Sequence, residues 1–352
     1  MTLLLQNILQ SKNPATMSYK SKEFCLKFIF FLCIMLLLQT VKAQPISGLD
    51  AIVEQEKDQF GGKMVVMVWK DTLLYQKATS EDLTVKMQTS VGCLSAWMTA
   101  ALTMTFVEQG KISLDDPVSK YLPIFSTYAK SYLTIRHCLA NVTGIEPDKG
   151  GVQKFFQKTK FEMLEEEVNA FAKREIQHNP GEVFYYNNIG TNIVGRVLEV
   201  VGKRSFDRLM MERIFRPCGM KRSTFSFDIV INPFSGAQCT PADALLFLQM
   251  LLNKGTAGTK KVLSPESVAE IQKIQTGNAK IAFVPDHAQG YSYGLGDWVG
   301  TGENKGRFMV PSLSGGWAMI DTNKNLAVLI LGKMKKEDKK EPYLRILEAA
   351  GM

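Results

Sequence analysis

The segment from Val91 to Pro123, VGCLSAWMTAALTMTFVEQGKISLDDPVSKYLP, reads as a helix that opens on a cysteine, a serine and a tryptophan. Its first turn carries no charge. Cys93 is a chemical candidate in its own right. A thiol starts near a pKa of about 8.5, is a few per cent ionised at pH 7, and can be lowered further by a helix N-terminus. It therefore needs less activation than a serine hydroxyl to act as a nucleophile. An active thiol normally has a histidine or a cation beside it, and no lysine lies between Val91 and Gln109. The plainer reading makes Cys93 a small buried hydrophobe or half of a disulfide. A second candidate group, Phe184-Tyr185-Tyr186-Asn187-Asn188, follows the turn Asn179-Pro180-Gly181 and supplies phenols and amides just before a helix.

Metal chemistry is not expected. The three histidines, His137, His178 and His287, are widely spread, and the cysteines show no CxxC spacing. No cofactor is implied either. Hydrophobic residues make up 45% of the 352-residue chain and charged ones 22%, enough for a sizeable core. The net charge of +8 is concentrated at the start, where residues 1–43 hold five lysines against one acid. Later basic residues are scattered among acids, apart from KMKKEDKK at Lys333–Lys340, which reads as a solvated loop. Nothing in this pattern suggests a nucleic-acid partner.

The N-terminus has the form of a secretory signal. Lys20, Lys22 and Lys27 precede the apolar run Phe28 to Leu38, and Val41-Lys42-Ala43 offers small residues before a cut at Gln44. The run is short for a membrane span. Met17 is a more natural start than Met1, and an uncleaved anchor is the alternative. The expected organisation is a signal peptide over 1–43 and one domain over 44–352. This predicts a secreted or periplasmic protein with no membrane attachment after cleavage. Cys93, Cys138, Cys218 and Cys239 remain after cleavage, and their pairing is open among three combinations.

The elements that must position these groups are legible from pattern. Ile46 to Phe60 reads as an amphipathic helix, and Lys63 to Lys77 as a hairpin turning at Lys70-Asp71-Thr72. A mostly helical middle follows, with helices over Leu133–Leu139, Thr191–Val201 and Phe206–Phe215. Thr240-Pro241-Ala242-Asp243 and Ser264-Pro265-Glu266 each offer a hydroxyl cap, a proline at the first helical position and an acid near the N-terminus. Trp317–Ile320 and Leu326–Leu331 form a closing hairpin, and Pro342–Ala350 a last helix. First and last strands enclosing helices is α+β logic, not βαβ alternation.

Eight segments in this order resemble the serine β-lactamase and penicillin-binding-protein superfamily, in its class C and D-alanyl-D-alanine carboxypeptidase branch. They are AWMTAALTMTFVEQGKISLDDPVSKYLP, LTIRHCLANVTGI, PGEVFYYNNIGTNIVGRVLEVVG, IFRPCGMKRSTF, TPADALLFLQMLLNKGT, LSPESVAEI, YGLG and MIDTNKNLAVLIL. The resemblance implies an antiparallel sheet built from N- and C-terminal strands, flanked by helices, with a helical subdomain inserted at about residues 80–230. It also implies an active site at their junction.

The family's chemistry needs Ser-x-x-Lys at a helix start, one turn apart so that both side chains share a face. Here those positions read Cys93-Leu94-Ser95-Ala96: the nucleophile position holds a thiol and the lysine is lost at Ala96. The family's Tyr-x-Asn is kept as Tyr186-Asn187-Asn188. Side chains two apart in an extended segment share a side, so Tyr186 could relay a proton while Asn188 holds a substrate carbonyl; otherwise the segment is only a polar turn leading into a helix. The family's third motif, Lys-Thr-Gly or His-x-Gly, falls on Val310-Pro311-Ser312, without cation or glycine. Gly315 and Gly316 survive, as an edge open to a ligand or as an ordinary glycine-rich strand start. Asn141 stands where relatives often have histidine, and Asn141-Val142-Thr143 is read as a coincidental glycosylation sequon.

A phenol with a pKa of about 10 needs nearby positive charge to act as a base, and both motif cations are gone. Tyr186 is therefore expected to be a neutral hydrogen-bonder. The sequence points to a β-lactamase-related hydrolase with impaired or lost catalysis. Its ligand would be a small molecule, peptide or cell-wall-derived acyl group. A working Cys93 hydrolase and a non-catalytic envelope binding protein are the alternatives.

Overall fold

The structure, a computed structural model, describes residues 46, 48–145, 147, 161–225, 231–312, 316–335 and 339–352. The expected signal segment and Gly315 lie outside the described residues. The main sheet comprises β1 (Val65–Lys70), β2 (Thr72–Ala78), β3 (Tyr291–Tyr293), β4 (Trp298–Gly300), β5 (Arg307–Ser312), β6 (Gly316–Asp321) and β7 (Leu326–Leu331). They run in the order β3-β4-β5-β6-β7-β1-β2, each neighbour antiparallel. The first hairpin is thus joined to the last, with Val68 opposite Val328 and Met319 opposite the same residue from the other side.

Composition explains the layering. Every residue of β6 and β7 is buried, as are the first four of β1. Strands covered on both faces carry near-continuous apolar runs, and these do. β2 at the edge alternates instead, with only Tyr75 buried. α6 (Pro241–Leu252) packs against β6, β7 and β1, while α7 (Glu341–Ala349) packs against α1 (Leu49–Glu56). Tyr343 of α7 stacks on Trp317 of β6 with ring centroids 4.7 Å apart, and meets Phe60 edge-on.

The central helix, α2 (Leu94–Val107), is buried on every side from Leu94 to Phe106. α2 is thus a core helix, for which an apolar perimeter is required. It packs against β5 and α5 (Ile189–Gly202). Its hydroxyls are satisfied by carbonyls both within the helix region and across the fold. Ser95 Oγ donates to the Gly92 carbonyl at 2.6 Å, and Thr99 Oγ1 to the Pro233 carbonyl at 2.7 Å.

The caps read from sequence are present: Thr240 Oγ1 accepts the Asp243 N–H at 3.1 Å, and Ser264 Oγ the Ser267 N–H at 3.1 Å. Two corrections are needed. The expected helix over Phe206–Phe215 is α-helical only to Met210 and continues as a π-turn over Met211–Phe215. Two strands, β3 and β4, have no counterpart in the sequence reading. They span only three residues each, too short for period-two alternation to register.

Candidate active site

Cys93 forms the N-cap of α2, without a side-chain cap of its own. Its backbone N–H reaches Ser312 Oγ, at the end of β5, over 3.4 Å. Ser312 and Tyr186 both present hydroxyls to the Cys93 thiol. The fold therefore brings together the three stretches singled out in the sequence: the opening of α2, the Tyr186 turn and the Val310-Pro311-Ser312 position.

The turn is held from behind by Asn141, which follows α3 (Ile135–Leu139) with φ at +57°. Asparagine tolerates this left-handed geometry better than most residues. Asn141 Oδ1 accepts the Asn187 N–H at 3.2 Å, and its carbonyl accepts the Tyr185 N–H at 3.1 Å. Asn187 closes the turn by accepting the Ile189 N–H and donating to the Tyr185 carbonyl, both at 2.8 Å. The extended stretch ends at Tyr185, and Asn188 already has helical dihedrals as the N-cap of α5. Tyr186 is consequently buried against the thiol while Asn188 is half-buried, with no hydrogen bond joining it to either partner. The Asn141 side chain is buried too, so the sequon is closed in the folded protein.

Ala96 lies one turn beyond Cys93, buried and uncharged. The β3–β4 loop presses backbone to backbone on it. A Cβ on Gly296 would come within 2.6 Å of the Ala96 carbonyl oxygen, and Gly296 has φ at +85°. Only glycine meets both demands. Gly316 is accounted for in the same way, since a Cβ there would stand 2.0 Å from the Ile330 carbonyl. Sheet packing, not an opening for a ligand, requires that glycine.

Electrostatics run against nucleophilic activation. Burial pushes the Cys93 thiol up to about 11, although the Tyr186 and Ser312 hydroxyls pull in the other direction. The expected benefit of the helix N-terminus is thus overridden by desolvation. A thiol with that pKa is ionised at pH 7 in roughly one molecule in 10⁴. Burial, then the neighbouring thiol and Tyr293, also push the Tyr186 phenol well above its ordinary value, so it stays neutral. All four cysteines among the described residues are unpaired and buried, which removes the disulfide reading of Cys93.

Sequence reasoning placed Ser312 but missed three residues of the β3–β4 hairpin: Tyr293, Asp297 and Trp298. Tyr186, Tyr293 and Trp298 are mutually packed, with ring centroids 4.9 to 5.8 Å apart. Asp297 is fully buried and neither carboxyl oxygen has a hydrogen-bond partner. The YGLG segment of the resemblance, Tyr293 to Gly296, forms the turn of this hairpin, and Asp297 follows it directly. An open groove of about 320 Å³, lined by Phe60, Lys63, Asp82, Leu83, Thr89 and Ser90 among others, lies just upstream; Cys93, Tyr186 and Ser312 do not line it. Among the described residues no cluster of three or more His, Cys, Asp or Glu is arranged to hold a metal ion.

Comparison with known proteins agrees with this architecture. The family model described as Beta-lactamase matches residues 49–351. Protein flp of Staphylococcus aureus MW2 is 24% identical over 189 residues, which is 50% of this chain and 38% of that protein. The chain thus spans well under two thirds of the curated relatives it matches. A Bacteroides dorei protein proposed to be a β-lactamase has the same fold, with a TM-score of 0.77 at 25% identity over 88% of this chain and 100% of that one. An octameric penicillin-binding protein homologue from Pyrococcus abyssi gives 0.73 at 20% identity, over 87% and 77% of the two chains.

Proposed function

Because this chain belongs to the β-lactamase family, we propose that it is a member whose acyl-transfer chemistry is lost or strongly impaired. The observation that carries this reading is the state of Cys93. It stands at the head of the central helix, 2% exposed, with its thiol held neutral and no cation one turn away at Ala96. Acyl transfer needs a nucleophile that can lose its proton and a group to receive it. Here the nearest receiver, Tyr186, is itself harder to ionise than a free phenol. The ligand class suggested by the family is a peptide, an ester or a cell-wall-derived acyl group. The N-terminal pattern supports export to the periplasm or beyond, with Gln44 as the new N-terminus.

A second reading has one observation in its favour. Tyr186 and Ser312 place two hydroxyls on the thiol, an arrangement that would serve a cysteine hydrolase with Tyr186 as proton relay. One experiment separates the two. Mature protein is incubated with a penicillin-type probe and a panel of activated esters, and its intact mass and ester turnover are followed. The expected result is no adduct, with turnover equal to that of Cys93→Ala. An adduct that disappears in Cys93→Ala would overturn the impaired-enzyme reading. Acylation regained by Cys93→Ser combined with Ala96→Lys would show that only these two positions had been lost.

A further inference from the structure

Cys93 and Tyr186 are each only 2% exposed, and the groove near Phe60 does not reach them. A ligand arrives at the thiol only if part of its surroundings moves. One part is built to do so. Tyr186 presents its hydroxyl to Cys93, while its backbone N–H donates to the Phe283 carbonyl at 3.3 Å. Phe283 ends the short strand Lys280–Phe283, which lies parallel to Val183–Tyr185, the stretch that leads into Tyr186. The Lys280 N–H donates to the Glu182 carbonyl at 2.8 Å, and the Tyr185 and Phe283 rings meet with centroids 5.2 Å apart. The strand therefore runs along the turn that brings Tyr186 to the thiol.

Its attachment is weak by the standards of this fold. The two strands form a sheet of their own, apart from the main sheet. A two-stranded ribbon is marginal without further support, and parallel pairing is less stable per residue than antiparallel. The ladder is irregular as well, its register shifting between Phe184 and Tyr185. Phe184 on the inner strand is buried, whereas Lys280, Ile281 and Ala282 on the outer one are exposed, Ile281 by 56%. The inner strand thus belongs to the core, and the outer one is laid on it from the solvent side.

The ends of the outer strand differ. Downstream, Pro285 and Ala288 are buried and pin the chain. Upstream, Gln275 is fixed by its N–H to the Tyr293 carbonyl at 2.8 Å, but Gly277 follows with φ at +50° and open space where a Cβ would stand. A glycine at that point lets the strand swing without dragging its anchor. Segments with few buried apolar contacts and exposed backbone bonds open locally, at a free energy below that of global unfolding.

We propose that Lys280–Phe283 is a displaceable strap that closes the Cys93 site from within the chain. Laid on Val183–Tyr185 it keeps Cys93 and Tyr186 out of reach; peeled back, it frees the Tyr186 turn and gives solvent and ligands access to the thiol. The inference rests on the proposed function only in placing the site at Cys93, and the two fail separately. An acyl adduct overturns the impaired-enzyme reading and leaves the strap standing, because access is read with a reagent that needs no catalysis.

The test is alkylation of the mature native protein by N-ethylmaleimide, with each modified cysteine followed by peptide mapping. Cys218 and Cys239, also buried and unpaired, lie on other elements and report opening of the domain as a whole. Phe283→Ala removes the ring that rests on Tyr185, and is expected to speed modification of Cys93 about tenfold relative to Cys239. In the wild type, the Tyr186 and Lys280 amides are expected to exchange with deuterium well ahead of the β6–β7 ladder. Cys93 modified no faster in Phe283→Ala, or rising only in step with Cys218 and Cys239, would overturn the proposal. So would Tyr186 and Lys280 amides that exchange as slowly as the main sheet. Should Phe283→Ala fail to fold, the wild-type exchange decides.

Discussion

Asp243 and Asp297 are both carboxylates inside the protein, and their surroundings are opposite. Asp243, in the first turn of α6, accepts the Arg222 N–H at 2.6 Å and the Ser223 hydroxyl at 2.9 Å. The Asp297 carboxyl, in the β3–β4 hairpin, accepts no hydrogen bond. Asp321 in β6 falls with the first: it is 2% exposed and takes Arg307 Nε at 3.2 Å and the Asn323 N–H at 2.9 Å. The fold therefore satisfies its buried acids wherever they serve architecture. The unsatisfied one follows Gly296, the residue that packs on the Ala96 carbonyl in the first turn of α2. Local violations of packing rules tend to collect at functional sites, and the contrast singles out Asp297 without reference to any motif.

The comparison can be broken at either end. The largest effect is expected from Asp243→Ala, which strands a part-buried backbone N–H and a buried hydroxyl together. A loss of about 3 kcal/mol should appear in urea unfolding. A loss below about 1 kcal/mol would mean that these bonds contribute little and that the contrast with Asp297 is only geometric. Asp297→Asn, by the same measurement, should cost less than about 1 kcal/mol at pH 7, because it removes an acid that has no partner to lose.

The pH dependence sharpens the second case. Asp297 has its folded pKa raised, so the folded protein holds this proton more tightly than the unfolded chain. Stability from that proton is full below the unfolded value of about 3.9 and is lost as pH rises through the folded pKa. Wild type should therefore lose stability relative to Asp297→Asn as pH climbs from about 4, by up to about 1.4 kcal/mol per pH unit. Parallel profiles for the two proteins would show that Asp297 is not protonated in the fold. The smallest effect is expected at Ser312→Ala. It removes a long 3.4 Å bond to the Cys93 N–H and should cost a few tenths of a kcal/mol, readable as a small shift in urea midpoint.

How far the sequence reaches is clearest from particular residues. Thr240-Pro241 and Ser264-Pro265 announce their helices because a cap is a local device, written within four residues. The β6–β7 hairpin is visible because two apolar runs flank a polar turn. Within β5, Pro311 by itself argues against a paired strand. The structure accommodates it because β4 pairs only with Phe308 and Met309 and stops short of the proline. At the site, Cys93 and Tyr186 could be placed by counting along recognisable segments. Asp297 could not, since nothing within the hairpin shows that its loop will close over the first turn of a helix some 200 residues earlier. Desolvation, which decides the protonation of the thiol, is likewise a property of assembled surroundings and is not written at position 93.

The pairing of β1 with β7 also sets a timetable. Val68 waits for Val328, about 260 residues downstream, before its strand has a second neighbour. At the usual 5–20 residues per second, the ribosome delivers that neighbour roughly 13–50 seconds later. Throughout this interval an apolar strand edge, Val65 to Trp69, has only its own hairpin for company. Closure of the sheet is thus among the last events in the life of the nascent chain. A chain cut short before Leu326 would present that edge permanently, as a template for other copies to pair with.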